Sequence, residues 1–356
     1  MRIIVDVMGG DKGPEEAVKG VIQAAQEFNA TFILIGDRNE IERIAKENQF
    51  DIRRMDIIHT DTYITMEDDP LCVVRGKQDS SMTVGLRMLA EGHGDAFVST
   101  GNTGALFTGA TLVVRKVKGI QRAGIGTVIP LQNPVLLLDT GANVTVTEEN
   151  LEQFGVIGSA YMAKMYGLES PRVGLLNNGA EECKGTPLQQ AAYRLLRDNP
   201  EINFVGNIES SILPFNSCDV IVADGFTGNV FLKGVEGIGK LLLGRLKEIF
   251  YSSPITKVAA LSMKKQLSAM KKDYDPSEHG GSPILGISKP VVKAHGSSNA
   301  KAWKNAIRQA INYADSGAIY DIAASAQAYA ARKKAEREAA AAEHDTPAEP
   351  TTNAKN

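Results

Sequence analysis

The sequence predicts an α/β protein built on a mostly parallel sheet, with a crevice where the strand ends meet, and three observations carry that expectation. Short apolar runs that read as buried strands alternate with longer segments of helical spacing, as in successive βαβ units. Polar turns rich in glycine follow the apolar runs at six places. The composition, 43% hydrophobic and 23% charged over 356 residues, is ordinary for a globular enzyme with a sizeable core.

Ile3–Val5 reads as the first strand, Glu15–Phe28 as a helix with Pro14 in its first turn, and Thr31–Ile35 as the second strand. Gly36-Asp37 turns the chain into a charged helix over Arg38–Asn48, and an apolar patch follows at Met55–His59. Asp68-Asp69-Pro70 breaks the chain ahead of Leu71–Glu91, where helix is expected on either side of Ser80. Ala96–Val98 is a strand, Ser99–Gly104 a tight turn and Ala105–Val114 a helix; a basic turn over Lys116–Arg122 then leads to strands at Gly126–Ile129 and Val135–Leu138.

The second half supplies a helix over Glu148–Tyr166, a strand at Val173–Leu176, a helix over Pro187–Arg197 and strands at Phe204-Val205 and Asp219–Val222. Gly234–Gly244 keeps helical spacing of its apolar residues, although each interior glycine costs up to about 1 kcal/mol against alanine. A last helix starts near Ser298-Asn299 and runs through Trp303, Ile307 and Ile311. One α/β domain, with two lobes allowed, is expected over residues 1–330, and residues 331–356 are expected to be a disordered polar tail.

Residues 254–272 stand apart. Ile255, Val258, Ala259, Met263, Leu267 and Met270 share one helical face, with Lys257, Lys264, Lys265, Lys271 and Lys272 around it. Such a stripe suits a core or dimer face, and it equally suits a helix lying in an anionic membrane interface.

The formal net charge of -3 argues against a general nucleic-acid binder. Cys72, Cys183 and Cys218 are too few and too scattered for a disulfide framework or a zinc cluster, which points to a reducing cytoplasm. No basic n-region with a long apolar stretch opens the chain, and no run is long enough to cross a bilayer.

The chemistry is expected in the turns. Ser99–Gly104 sits where a strand gives way to a helix, and unsatisfied N–H groups and the helix dipole make such a place a seat for a phosphate or an oxyanion. Asp6–Asp11, Asp139–Asn143, Asn177–Gly179, Asp224–Asn229 and Ala294–Ser298 are comparable strand-end turns, and in an open α/β sheet they are expected to line one crevice. The seat lacks the Gly-Lys-Ser/Thr ending of a nucleotide-triphosphate loop, and the first turn lacks Gly-x-Gly-x-x-Gly. Lys184 follows one turn and can pair with an anion; Lys293 and His295 sit at another, where the histidine can donate to an anion or move a proton. Cys183 is a lone thiol with no histidine near it in sequence. Asp6, Asp11, Asp139 and Asp224 either hold a divalent metal or tie their own loops.

Taken in order, Asp6-x-Met8-Gly9-Gly10-Asp11, Lys77-x-x-Ser80-Ser81, Ser99-x-Gly101-Asn102-Thr103-Gly104, Asp139-x-Gly141-Ala142-Asn143, Asn177-x-Gly179, Lys184-Gly185, Asp224-Gly225-Phe226-x-Gly228-Asn229 and Lys293-x-His295-Gly296 resemble the bacterial phosphate acyltransferase (PlsX) family over residues 1 to about 325. The resemblance implies a three-layer α/β/α sandwich with a central cleft, similar to isocitrate and isopropylmalate dehydrogenases and to phosphotransacetylase, in a homodimer. It implies attack of inorganic phosphate on an acyl thioester of acyl carrier protein, giving acyl phosphate for phospholipid synthesis. It further implies peripheral membrane association and hand-over to a downstream glycerol-3-phosphate acyltransferase. No cofactor and no nucleic acid is implied.

On that basis Lys184, His295 and Asn229 are the expected catalytic residues. The expected phosphate or substrate contacts are Asp6, Gly9, Gly10, Ser99, Gly101, Asn102, Thr103, Gly104, Asn143, Asn177, Asp224, Gly225, Gly228 and Lys293. No metal ligand is assigned. Arg115, Lys116, Lys118 and Arg122 are the expected docking patch for the acidic carrier. The competing expectations are a metal-dependent dehydrogenase on a related fold and a noncatalytic membrane-surface scaffold.

Overall fold

The computed structural model of the chain describes residues 1–131, 133–267, 278 and 280–344. Among them, eleven strands form one sheet. They are β1 (Arg2–Asp6), β2 (Thr31–Gly36), β3 (Asp56–His59), β4 (Ala96–Ser99), β5 (Gly124–Pro130), β6 (Pro134–Leu138), β7 (Arg172–Asn177), β8 (Asn203–Glu209), β9 (Val220–Val222), β10 (Ser282–Leu285) and β11 (Val291–Lys293). The lateral order is β3-β2-β1-β4-β11-β10-β5-β6-β9-β7-β8.

The first five strands in that order are mutually parallel, and so are the last four. Between them lie three antiparallel pairings, β11 with β10, β10 with β5 and β5 with β6. Three reversals in succession leave β6, β9, β7 and β8 running against β1, β4 and β11. The carboxyl ends of the two halves therefore point to opposite edges of the sheet. This corrects the expectation of one shared crevice along a single edge, and its cause is β10, a four-residue strand containing a proline that the sequence reading passes over.

Strand alternation sends side chains into two helical layers. On one face Ile3, Val5 and Val292 pack with α1 (Gly13–Glu27) and α9 (Ala300–Ser316), while Leu136, Leu138 and Leu285 pack with α5 (Glu148–Tyr166) and α10 (Ala318–His344). On the other face Ile4, Phe97, Ile125 and Ile284 meet α3 (Ser81–Ala90) and α4 (Thr103–Gly109). Beside them Ile129, Leu137 and Ile221 meet Phe231, Leu232 and Val235 of α7 (Gly225–Tyr251). A helix layer on each face of one sheet is the expected α/β/α sandwich. Each fully buried aliphatic side chain adds about 1.5–3 kcal/mol to its stability.

One segment differs from expectation, and a second is described only in part. Within the expected tail, residues 331–344 are helical, since α10 runs to His344 and supplies counter-charges to Glu152 of α5, which is fully buried; residues 345–356 lie outside the described residues. Arg332 and Lys333 each reach it at 2.9 Å, Tyr329 Oη donates to it at 3.0 Å and Asn199 Nδ2 at 3.0 Å. In the segment 254–272, α8 covers Pro254–Ser262 and leaves Ile255, Val258 and Leu261 exposed. Met270, Lys271 and Lys272 lie outside the described residues.

Candidate functional site

β1, β4 and β11 end side by side, with Asp6 in register with Ser99 and Ser99 with Lys293. Ser99 Oγ donates to Asp6 Oδ2 at 2.7 Å and accepts from Gly101 N at 3.0 Å, while Asp6 Oδ1 accepts from Met8 N at 3.2 Å. Thr100 Oγ1 donates to the Gly9 carbonyl at 2.8 Å, and Asp11 N donates to the Gly296 carbonyl at 2.9 Å. The turns 6–11, 99–104 and 294–297 are thus tied into one knot. A Cβ on Gly9 would stand 2.7 Å from Gly101 N, and Gly10 has φ +93°, so both positions require glycine.

Asn102 caps α4 through Oδ1, and its Nδ2 donates to the Thr65, Met66 and Asp68 carbonyls. Its side chain is committed to holding a neighbouring loop. Thr103 is exposed at the start of α4, and Gly104 packs against Pro70.

A second knot forms at the opposite edge. The Asp139 carboxylate accepts from the backbone N–H groups of Ile125, Gly141, Ala142 and Asn143 and from Asn143 Nδ2. Asn143 Nδ2 also donates to the Ala123 carbonyl at 2.7 Å, and Gly225 N donates to the Asn143 carbonyl at 2.8 Å. A Cβ on Gly228 would stand 2.0 Å from the Asp139 carbonyl oxygen, which makes glycine the condition for this close approach. Asp224 caps α7, accepting from Thr227 N at 2.9 Å and Thr227 Oγ1 at 2.7 Å. Asp6, Asp139 and Asp224 therefore spend their oxygens on loop construction, which disfavours the metal-site reading of these aspartates.

The next strand along, β7, ends in the turn that holds Asn177 and Lys184. Asn177 Nδ2 donates to the Lys184 carbonyl at 3.3 Å, and the exposed Lys184 side chain lies over Gly179. Asn229 is exposed on the first turns of α7, with its side chain beside Gly141.

What joins the two knots is a polar row across the sheet face. Lys293 pairs with Ser282 of β10, and Ser282 Oγ lies 2.8 Å from Thr127 Oγ1 of β5. Asp6, Ser99, Lys293, Ser282 and Thr127 thus follow one another across five strands, on the face otherwise filled by Ile4, Phe97, Ile284, Ile125 and Ile129. Lys293, Ser282 and Thr127 are only half-buried, between the helices that cover the two halves of this face. Thr127 and Ser282 are absent from the expected site. The signal was an alcohol in the middle of Ile125-x-Thr127-x-Ile129, at a position whose neighbours face the core.

Residues 1–320 match the family model described as fatty acid synthesis protein. The phosphate acyltransferase of Acetivibrio thermocellus is 44% identical over 321 residues, which cover 90% of this chain and 94% of that protein. That of Clostridioides difficile is 40% identical over 324 residues, 90% of this chain and 95% of the relative. The chain belongs to the phosphate acyltransferase family. It is an enzyme family of fatty acid and phospholipid synthesis. The fold is also that of a phosphotransacetylase from Streptococcus pyogenes, with a TM-score of 0.61 at 16% identity over 88% of this chain and 94% of that one. A 4-hydroxythreonine-4-phosphate dehydrogenase from Klebsiella pneumoniae shares the fold with a TM-score of 0.51 at 14% identity, over 88% and 98% of the two chains.

In this phosphate acyltransferase family member the groups at the row are electrostatically tuned. Burial pushes the Lys293 ammonium down to about 8, with Lys233 of α7 lowering it further and Asp11 opposing. Its Nζ donates to the Ala294 carbonyl at 2.5 Å. Partial burial, then Lys233 and Lys293, lower His295 as well, so the imidazole is neutral near pH 7. His295 Nδ1 accepts from Ser297 N at 3.2 Å, which places the neutral ring's proton on Nε2. Burial raises the Asp6 carboxyl above its ordinary value, offset in part by the hydrogen bond from Ser99 and by loop N–H groups. Lys233, eight residues into α7 from Gly225, acts on both groups through its charge, while its Nζ pairs with Glu236 at 2.9 Å.

Proposed function

We propose that the enzyme transfers a fatty acyl group from an acyl carrier protein thioester to inorganic phosphate, releasing free carrier and acyl phosphate. The observation that supports this most is the half-buried polar row, with the Lys293 ammonium in it, lying between two knots of backbone N–H groups and small residues. A dianionic oxyanion needs such cationic and N–H donors, and an acyl chain needs the apolar face beside them.

In this reading phosphate lies at Lys293, with Lys233 and the exposed Asn229 amide as further donors. One phosphate oxygen attacks the thioester carbonyl carbon, the carbonyl oxygen becomes the tetrahedral oxyanion, and the C–S bond breaks as the carbonyl re-forms. The thiolate leaves readily. His295, neutral with its proton on Nε2, steadies it by donating a hydrogen bond. Lys184, on the turn beside the second knot, is the charge partner for the incoming acyl carrier or the developing oxyanion.

The residues Gly9, Gly10, Gly101, Gly225 and Gly228 shape the loops in this account, and Asp6, Ser99, Asn102, Asn143, Asn177 and Asp224 hold them. Arg115, Lys116, Lys118 and Arg122 receive the acidic carrier. The enzyme acts as a cytoplasmic homodimer at the membrane surface and delivers acyl phosphate to a glycerol-3-phosphate acyltransferase. No helix among the described residues is long and apolar enough to cross a membrane. The exposed Leu241, Leu242, Ile249, Ile255, Val258 and Leu261 of α7 and α8, with Lys257, Lys264 and Lys265 near them, support contact with an anionic surface. Sedimentation with anionic vesicles but not neutral ones is the expected result, and equal failure with both would contradict it.

The reaction is tested by incubating the protein with an acyl carrier protein thioester and phosphate and trapping acyl phosphate with hydroxylamine. Acyl phosphate is expected with no nucleotide present. Absence of acyl phosphate, together with metal-dependent nicotinamide reduction, would establish the dehydrogenase alternative instead.

A further inference from the structure

The alcohols of the polar row form a chain whose hydrogen-bond direction is fixed at one end. Thr140 Oγ1 lies 3.0 Å from the Ile125 carbonyl oxygen, which can only accept, so the single Thr140 proton points there. Thr127 Oγ1 lies 3.0 Å from Thr140 Oγ1, and with that proton spent Thr127 must be the donor. The Thr127 proton is then spent as well. Across the 2.8 Å separation of Thr127 and Ser282, Ser282 donates. The chain therefore runs Ser282 to Thr127 to Thr140 to the Ile125 carbonyl, and the half-buried Ser282 Oγ has lone pairs alone left to offer. It offers them directly beside Lys293, its register partner.

An acceptor at this place is unexpected in a site for a fully ionised anion. Beside it the Lys293 ammonium can only donate, and a lone pair turned toward a fully ionised oxyanion repels it. Hydrogen phosphate differs from sulfate in one respect that matters here: it carries a P–OH proton. We infer that Ser282 is a specificity-determining residue for the acceptor anion, taking a hydrogen bond from the P–OH group and so selecting hydrogen phosphate over sulfate, which has the same shape and no proton to give. This rests on the proposed function, in which phosphate lies at Lys293. The discrimination follows from chemistry alone: a site group that is paired by one ligand and left facing a lone pair by its isostere separates the two more sharply than shape can.

The experiment measures KM for phosphate and the competitive inhibition constant for sulfate during acyl phosphate formation, with the unaltered protein, Ser282→Ala and Thr127→Val. Ser282→Ala removes the acceptor; KM for phosphate is expected to rise about tenfold or more, the worth of one hydrogen bond to a charged ligand, while sulfate inhibition stays the same or strengthens. Thr127→Val keeps the shape and removes the group to which Ser282 donates. The Ser282 proton is then free to turn to the cleft, and sulfate is expected to inhibit about fivefold more strongly. A partly misfolded variant would weaken sulfate binding, so this second sign is not produced by damage. A ratio of phosphate KM to sulfate inhibition constant that is the same in all three proteins overturns the inference while leaving the acyltransferase reading intact. If the unaltered protein forms no acyl phosphate, the reading fails and the inference with it.

Discussion

Lys293 is the cation of the row, and burial brings its ammonium down to about 8. Below that pH the amine is charged and can hold an anion; above it the charge is lost. The rate is therefore expected to fall as pH rises through about 8, although phosphate itself only becomes more ionised over that range. Lys293→Arg, which stays protonated, is expected to keep part of the activity and to lose this alkaline limb in a pH–rate profile. An unchanged limb in the arginine variant would assign it to another group. His295 and Lys184 separate in the same kind of measurement. A thiolate needs little help to leave, so His295→Ala is expected to lower kcat by about tenfold, below the roughly 10²–10⁴-fold usual for an acid–base group, and Lys184→Ala by more. A fully active Lys184→Ala beside an impaired His295→Ala would reverse these roles.

Helices and turns show which parts of the site are built by their own sequence and which by long-range packing. Truncation after Ala330 removes Arg332 and Lys333 and leaves the Glu152 carboxylate buried without counter-charges, a loss of about 3–5 kcal/mol. A fall in Tm of several degrees is expected on thermal unfolding, and unchanged stability would mean that Glu152 finds other partners. This clasp was illegible in the sequence, because an Ala-, Lys- and Glu-rich segment has no apolar stripe and its partner lies about 180 residues away. The capped helices were legible: Glu148–Tyr166 and Pro187–Arg197 begin where threonine caps them and run to the expected ends. So were the turns at Asp6, Ser99 and Asp224, where a short polar side chain bonds its own loop. Ser282 was not, because a four-residue strand with proline at its second position has neither the length nor the alternation that marks a strand.

The molecule as a whole turns on the three antiparallel pairings in the middle of the sheet. They send the two sets of strand-end turns to opposite edges, and a row of polar side chains on one face connects what the edges separate. The α/β class, the helix layers and the family were readable from alternation and from the order of the glycine turns, since those depend on local spacing. The direction of half the strands was not, since it depends on one short strand supplied from residue 282, far along the chain. The account stands on phosphate occupying that row, and the most direct measurement is a crystal structure with phosphate bound. Phosphate within hydrogen-bond reach of Lys293 and Ser282, on the side of the row facing Asn229, is the predicted result; phosphate held at the outer edge of either knot, with the row empty, would contradict it.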